Sequence, residues 1–146
     1  MLSNKVNINH IKGLLKGARV LMRVDYNCPL DSKLRVSDPG RIEATIPTIK
    51  KILDCKPKSL VLMSHLGRPG GERNKEFSLR PCQAVLSKLI NKPITFMDDC
   101  IGKKVQRKCA NPKNGEIIML ENVRFHPEET GSGSLKKDNI FRKQLS

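Results

Sequence analysis

The chain has 146 residues, 28 of them Lys or Arg against 14 Asp or Glu, giving a formal charge of +14 at pH 7. That length suits about one average domain, and 38% apolar with 29% charged residues is ordinary for a globular chain, which excludes disorder throughout. No apolar run approaches the roughly 18 residues a membrane span needs, and the amino terminus lacks the apolar core of a signal peptide, so a secreted or membrane protein is not expected.

The opening stretch carries Lys5, Lys12, Lys16 and Arg19 before the first acid, Asp25; it is basic like a transit peptide but poor in serine. Ala18 to Asp25, bounded by Gly17 and by Asn27-Cys28-Pro29, reads as a buried strand. Turn residues fill Leu30 to Gly40. Ile42, Ile46, Ile49, Ile52 and Leu53 then recur at helical spacing, so a helix is expected from Arg41 to about Asp54, either kinked at Pro47 or regular only from Thr45. Ser59 to Ser64 reads as a second strand, followed by a Gly-rich charged loop from Gly67 to Lys75. Ser78 is the expected N-cap of a helix running to about Asn91 with Pro81 in its first turn. Ile94 to Met97 is a third strand, Ile101 to Ala110 a short basic helix, and Ile117 to Leu120 a fourth strand. A Gly/Ser stretch from Glu128 to Ser134 precedes residues that resemble the start of another helix, Asn139 to Ser146. The order βαβαβαβ implies an α/β fold: a doubly wound parallel sheet in a Rossmann-like, three-layer αβα arrangement.

Five scattered cysteines with no C-x-x-C pair and three scattered histidines give no zinc spacing and suit reduced, cytoplasmic thiols. In open α/β sheets ligands bind beyond the carboxyl ends of the strands. Three such ends carry polar clusters: Arg23-Val24-Asp25-Tyr26-Asn27, Ser64-His65-Leu66-Gly67-Arg68 and Glu121-Asn122-Val123-Arg124-Phe125-His126. Arg41 begins the helix expected on the same edge. Guanidinium groups converging there suit a small ligand with several negative charges, because each binds phosphate or carboxylate oxygens through paired hydrogen bonds. Taken singly, each position also has a plain structural role: Asp25 as an ion-pair partner, His65 as a turn residue, Arg124 as a solvated charge. No G-x-x-x-x-G-K-[ST] and no G-x-G-x-x-G follows a strand, so no nucleotide site is expected in these residues.

The strings RVDYNCP, GRIEATIPTI, VLMSHLGRP and MLENVRFHPEE, in this order, resemble the N-terminal domain of phosphoglycerate kinases, from about Val6 to Leu145. Tyr26 and Cys28 stand where that pattern usually has Phe and Val. The resemblance implies a glycolytic, cytoplasmic, typically monomeric enzyme. It moves a phosphoryl group reversibly between 1,3-bisphosphoglycerate and ADP, giving 3-phosphoglycerate and ATP, with Mg²⁺ on the nucleotide. It implies that Asp25 and Asn27 hold the hydroxyl and carboxylate region of the glycerate. Arg41, Arg68, Arg124 and His65 would form the basic patch, with Arg23 supporting it and Ser64 and Gly67 shaping the loop. Arg41 is the residue expected to act catalytically, by stabilising charge on the transferring group. On this reading residues 1–146 are an incomplete N-terminal, glycerate-binding domain. The Mg-ADP/ATP site would belong to an absent nucleotide domain, and the chain alone would be inactive. Two other readings stand beside it: a basic nucleic-acid or polyanion binder, which the scarcity of aromatic stacking residues disfavours, and an inert product with an exposed sheet edge.

Overall fold

A computed structural model describes residues 6–131 and 134–145; Ser132 and Gly133 of the Gly/Ser stretch, Met1 to Lys5 and Ser146 lie outside the described residues. Among these, four parallel strands, β1 (Arg19–Arg23), β2 (Ser59–Met63), β3 (Ile94–Phe96) and β4 (Glu116–Met119), form one sheet in the order β1-β2-β4-β3. Leu21 pairs with Val61, Val61 with Ile118, and Thr95 with Ile118, so the three ladders share one register.

That order makes the sheet doubly wound. From β1 to β2 and from β2 to β3 the chain moves one way across the sheet, and from β3 to β4 it turns back. Crossovers between parallel strands keep one hand, so the reversal puts the connecting helices on opposite faces. Helices α1 (Ile8–Leu15), α3 (Ile46–Asp54) and α4 (Arg80–Ile90) cover one face. Their Leu15, Ile49, Ile52, Cys82 and Leu86 pack on Leu60, Leu62, Ile117 and Met119. Helices α5 (Lys103–Ala110) and α6 (Leu135–Leu145) cover the other, with Val105 and Phe141 packed on the alternate residues Val61, Ile118 and Leu120. Strands β2 and β4 are therefore apolar on both sides, which is why SLVLM and EIIM read as continuous runs rather than alternating ones. Burying each such Leu or Ile stabilises the fold by about 1.5–3 kcal/mol. β1 is the exception: it lies at the edge, and Leu21 on its second face is 42% exposed.

Three elements differ from the sequence expectations. The helix expected from Arg41 divides into α2 (Gly40–Glu43) and α3, which is regular from Ile46 with Thr45 as its cap, the second of the two expectations for Pro47; the proline lies in the first turn of α3, where its missing N–H costs no hydrogen bond. The α4 helix starts at Arg80 rather than beside Ser78, and Leu79 takes the cap position. Ser78 still makes the bond of a capping serine, its hydroxyl accepting from the Arg80 N–H (3.2 Å) while donating to the Glu121 carboxylate (2.7 Å), which also accepts from the Leu79 N–H (2.8 Å). The first helix, α1, had no sequence expectation. It is opened by a reciprocal pair in which the Asn7 side chain accepts from the Asn9 N–H and the His10 ring accepts from the Asn7 N–H. The residues Asn139 to Ser146 expected to begin a helix fall, except for Ser146, within α6, which begins earlier.

Candidate functional site

At the boundary between β2 and β4 the chain turns toward opposite faces, so the loops leaving these two strands separate and leave a crevice above the sheet. The loop after β2 carries Ser64, His65, Gly67 and Arg68; the loop after β4 carries Glu121, Asn122 and Arg124; the loop after β1 lies alongside with Asp25 and Asn27.

Buried side chains bind the three loops to one another. The Asn122 amide donates to the Leu66 carbonyl (2.7 Å) and the Phe77 carbonyl (2.9 Å), and its oxygen accepts from the Arg124 N–H (3.0 Å). The Asn27 oxygen accepts from the Gly67 N–H (2.8 Å), and the buried Ser64 hydroxyl accepts from the Tyr26 N–H (2.9 Å). Gly67 has φ near +62°, and a Cβ there would run into the Phe77 ring, so no other residue fits this turn. The Tyr26 hydroxyl shares a hydrogen bond with Thr45 (2.7 Å), and burial pushes its pKa up to about 12. Tyr26 therefore acts as a fully buried packing residue, consistent with the aromatic residue the motif ordinarily has there.

On this frame sit the charges. Arg124 donates through Nη1 to the Gly67 carbonyl (3.3 Å), and its buried Nε lies 3.5 Å from Oε2 of Glu129, an ion pair without a close hydrogen bond. Arg23, at the end of β1, donates to the other oxygen of Glu129 (2.7 Å). One largely buried carboxylate therefore lies between two guanidinium groups from different strands. Arg68 is exposed and shares with Arg124 a concavity of about 330 Å³ whose walls include Gly70, Gly71, Pro127 and Thr130. His65 is in the same field: burial first, then the nearby Arg124, pull its pKa below the usual histidine range, and Asp25 and Glu129 oppose this. Burial and Arg124 both favour the neutral imidazole. Arg41, on α2, forms an ion pair with Asp25 and reaches the cluster through that residue. Asp25 also accepts from the Asn27 N–H (3.2 Å).

Every residue singled out in the sequence thus lies on the same edge of the sheet. Arg23, Arg68, Arg124, His65, Gly67 and Asn27 are joined by direct contacts, a shared concavity or shared electrostatics, whereas Arg41 with Asp25 forms a neighbouring pair. Two members had no sequence expectation. Glu129 ends the string MLENVRFHPEE and borders the Gly/Ser stretch, where an acid looks like solvated surface. Asn122 lies inside a motif string, but only its burial reveals that it fastens two loops together.

A family model, phosphoglycerate kinase, matches residues 8–146. The chain belongs to the phosphoglycerate kinase family. It is 52% identical over 131 residues to the phosphoglycerate kinase of Tetrahymena thermophila and 50% identical to that of Schizosaccharomyces pombe; these matches cover 90% and 99% of this chain but 31% and 36% of the relatives. Among solved structures, the crystal structure of phosphoglycerate kinase from Pyrococcus horikoshii OT3 superposes with a TM-score of 0.77 at 26% identity, over 90% of this chain and 32% of that one. The structure of the Coxiella burnetii phosphoglycerate kinase gives 0.64 at 35% identity, over 77% and 26%. The chain spans about a third of the length of the curated relatives it matches.

Membership of this phosphotransferase family raises the question of a magnesium nucleotide, and the residues described do not fit one. Mg²⁺ takes carboxylate and phosphate oxygens in octahedral geometry. Asp25 and Glu129, the two acids beside the arginines, are both held in ion pairs. Elsewhere, Asp99, Cys100 and His126 bring ligand-type atoms within 4.8 Å of one another. Asp99 is paired with Arg73 (2.8 Å) and His126 (2.7 Å) there, and burial pushes the Cys100 thiol up to about 12. That group ties loops together; it is not a hard-cation site. No described helix is long and apolar enough to cross a membrane.

Proposed function

We propose that this chain supplies the glycerate-binding side of a phosphoglycerate kinase, an enzyme that transfers a phosphoryl group between 1,3-bisphosphoglycerate and ADP in glycolysis, in the cytoplasm. The observation that carries the reading is the Arg23–Glu129–Arg124 arrangement over the Gly67 turn. Two guanidinium groups from different strands converge there on one carboxylate, and their remaining N–H groups can receive the oxygens of an anionic ligand.

In this reading Arg23, Arg68 and Arg124 hold the phosphate and carboxylate of 3-phosphoglycerate or 1,3-bisphosphoglycerate. Neutral His65 donates a hydrogen bond without adding charge. Asn27 fixes the Gly67 turn, and Ser64 fixes the chain before it. Asp25 orients Arg41 through their ion pair, and Arg41 carries the catalytic role of stabilising charge on the transferring group. Such transfer rests on positioning and electrostatics, which a fixed cation supplies without a covalent step. The magnesium nucleotide would be held by protein outside residues 1–146, within the larger remainder of the longer relatives. By itself the chain would bind the glycerate ligand and not turn it over.

Titrating the purified chain with 3-phosphoglycerate, followed by amide NMR, tests this. Saturable shifts at Gly67, Arg124 and Glu129, lost in Arg124→Ala, are the expected result. Shifts confined to other surfaces overturn the binding assignment, and turnover comparable with a complete enzyme overturns the statement that the chain alone is inactive.

A further inference from the structure

The sheet has a second polar end. Because all four strands are parallel, every one is entered from the side opposite the arginines, and the segments that enter them converge. Lys16 and Gly17 precede β1; Lys56, Pro57 and Lys58 precede β2; Lys92 precedes β3; Asn114 and Gly115 precede β4. Together with Leu53 they line an open cleft of about 510 Å³. That is a size typical of small-molecule sites, but the lining contains four lysines and no acid. Among the described residues none of the four ammonium groups is in an ion pair, and the one side-chain bond is from Lys58 to the neutral Asn114 oxygen (2.8 Å). Gly17 and Gly115 contribute no side chain, and the space where one would lie is open.

Helix ends account for part of this charge. Lys16, Lys56 and Lys92 each follow the carboxyl end of a helix, where a cation is favoured by roughly 0.3–1 kcal/mol. They do not account for Lys58, nor for all four facing one cleft. Three helix ends at about half a negative charge each also offset only part of four full positive charges. The backbone donors are already used, since the Gly17 N–H donates to the Lys56 carbonyl (3.0 Å) and the Gly115 N–H to the Lys58 carbonyl (2.9 Å). The charged side chains in the lining are the four lysines, beside the apolar Leu53 and Pro57.

We infer that this cleft binds a compact oligophosphate anion, a chain of two or three linked phosphates, through Lys16, Lys56, Lys58 and Lys92. Lysine is a rotatable point charge and not a planar fork, which suits a flexible polyanion and gives little selection for a single planar carboxylate. The absence of any aromatic residue in the lining argues against a base-stacking, nucleic-acid ligand. The site is separate from the proposed glycerate patch and stands whether or not that patch binds 3-phosphoglycerate.

Inorganic tripolyphosphate, orthophosphate and a short oligouridylate, each titrated into the full chain at low salt with amide NMR as the readout, test the inference. The expected result is saturable tripolyphosphate binding with shifts at Gly17, Lys56, Lys58 and Gly115. Orthophosphate should bind at least tenfold more weakly, because fewer charges are engaged. Lys16→Gln/Lys92→Gln should weaken tripolyphosphate by about tenfold, with Lys16→Arg/Lys92→Arg restoring it and Lys136→Gln/Lys137→Gln, on α6, leaving it unchanged. The Arg variant keeps the charge at the helix ends and so separates ligand binding from any loss of fold. Shifts confined to Gly67 and Arg124, equal binding by the Gln double variant, or tighter saturation of the same amides by oligouridylate would each overturn the inference.

Discussion

Replacing Asn122 with alanine removes the side chain that holds the loops after β2 and β4 together. Asn122 is 1% exposed and makes three hydrogen bonds, to the Leu66 and Phe77 carbonyls and from the Arg124 N–H. Truncation strands all three partners, and a buried polar group left unpaired costs roughly 1–3 kcal/mol. The bonds to the Phe77 carbonyl and from the Arg124 N–H are only partly buried and are expected at the bottom of that range. The sum is then at least about 3 kcal/mol, against a total stability of about 5–15 kcal/mol. With a urea slope of about 2 kcal/mol per molar, the midpoint should fall by about 1.5 M. Far-ultraviolet circular dichroism during urea unfolding measures this. Asn111→Ala, at an exposed helix end where the side chain makes one long bond of 3.4 Å, should move the midpoint by less than about 0.3 M and serves as the control. A loss below about 1 kcal/mol for Asn122→Ala, at an unchanged slope, would refute the claim that this amide fastens the site.

Three further outcomes follow from the same geometry. Gly67→Ala should lower stability by roughly 1–3 kcal/mol and abolish 3-phosphoglycerate binding, read by thermal melting and calorimetric titration, because positive φ and the Phe77 ring both oppose a Cβ. Glu129→Gln should tighten 3-phosphoglycerate binding by about threefold to tenfold in the same titration, since the ligand no longer competes with a carboxylate for Arg23 and Arg124; unchanged or weaker binding would count against that competition. His65 is held neutral in the folded chain at a pKa below its ordinary 6.5, so the unfolded chain binds the extra proton first. Its contribution to stability is therefore complete above pH 6.5 and is lost as the pH falls from there through the folded value, and His65→Gln should flatten that part of a urea-midpoint profile.

Much of the architecture can be read from the chain because the two central strands are apolar on both faces and the helices are not. Ser59 to Met63 and Glu116 to Met119 read as buried strands, and the stripe Ile42, Ile46, Ile49 and Ile52 as a one-faced helical segment, although the chain divides it between α2 and α3. The start of α4 was half legible: Ser78 accepts from the Arg80 N–H as expected of a cap, but the Glu121 carboxylate that holds Ser78 and the Leu79 N–H is far away in sequence, and local pattern holds no trace of it. The α1 helix escaped notice because its opening pair is Asn7 with His10, not a hydroxyl with a glutamate. At the site, the arginines were visible as strand-end residues. Glu129 was not: it ends a motif string, between Glu128 and Thr130, and nothing local announces that two guanidinium groups fold back onto it.

The sheet order also bears on how the two halves of the arginine cluster move. β2 and β4 are bonded on both sides, so their amide hydrogens should exchange slowest with solvent, and they are directly beneath Gly67 and Arg124. Arg23 hangs from the edge strand, and Arg41 from a helix of four residues. A ligand would therefore meet a stationary wall on one side and two arms free to adjust on the other, and would lose mobility mainly in the arms.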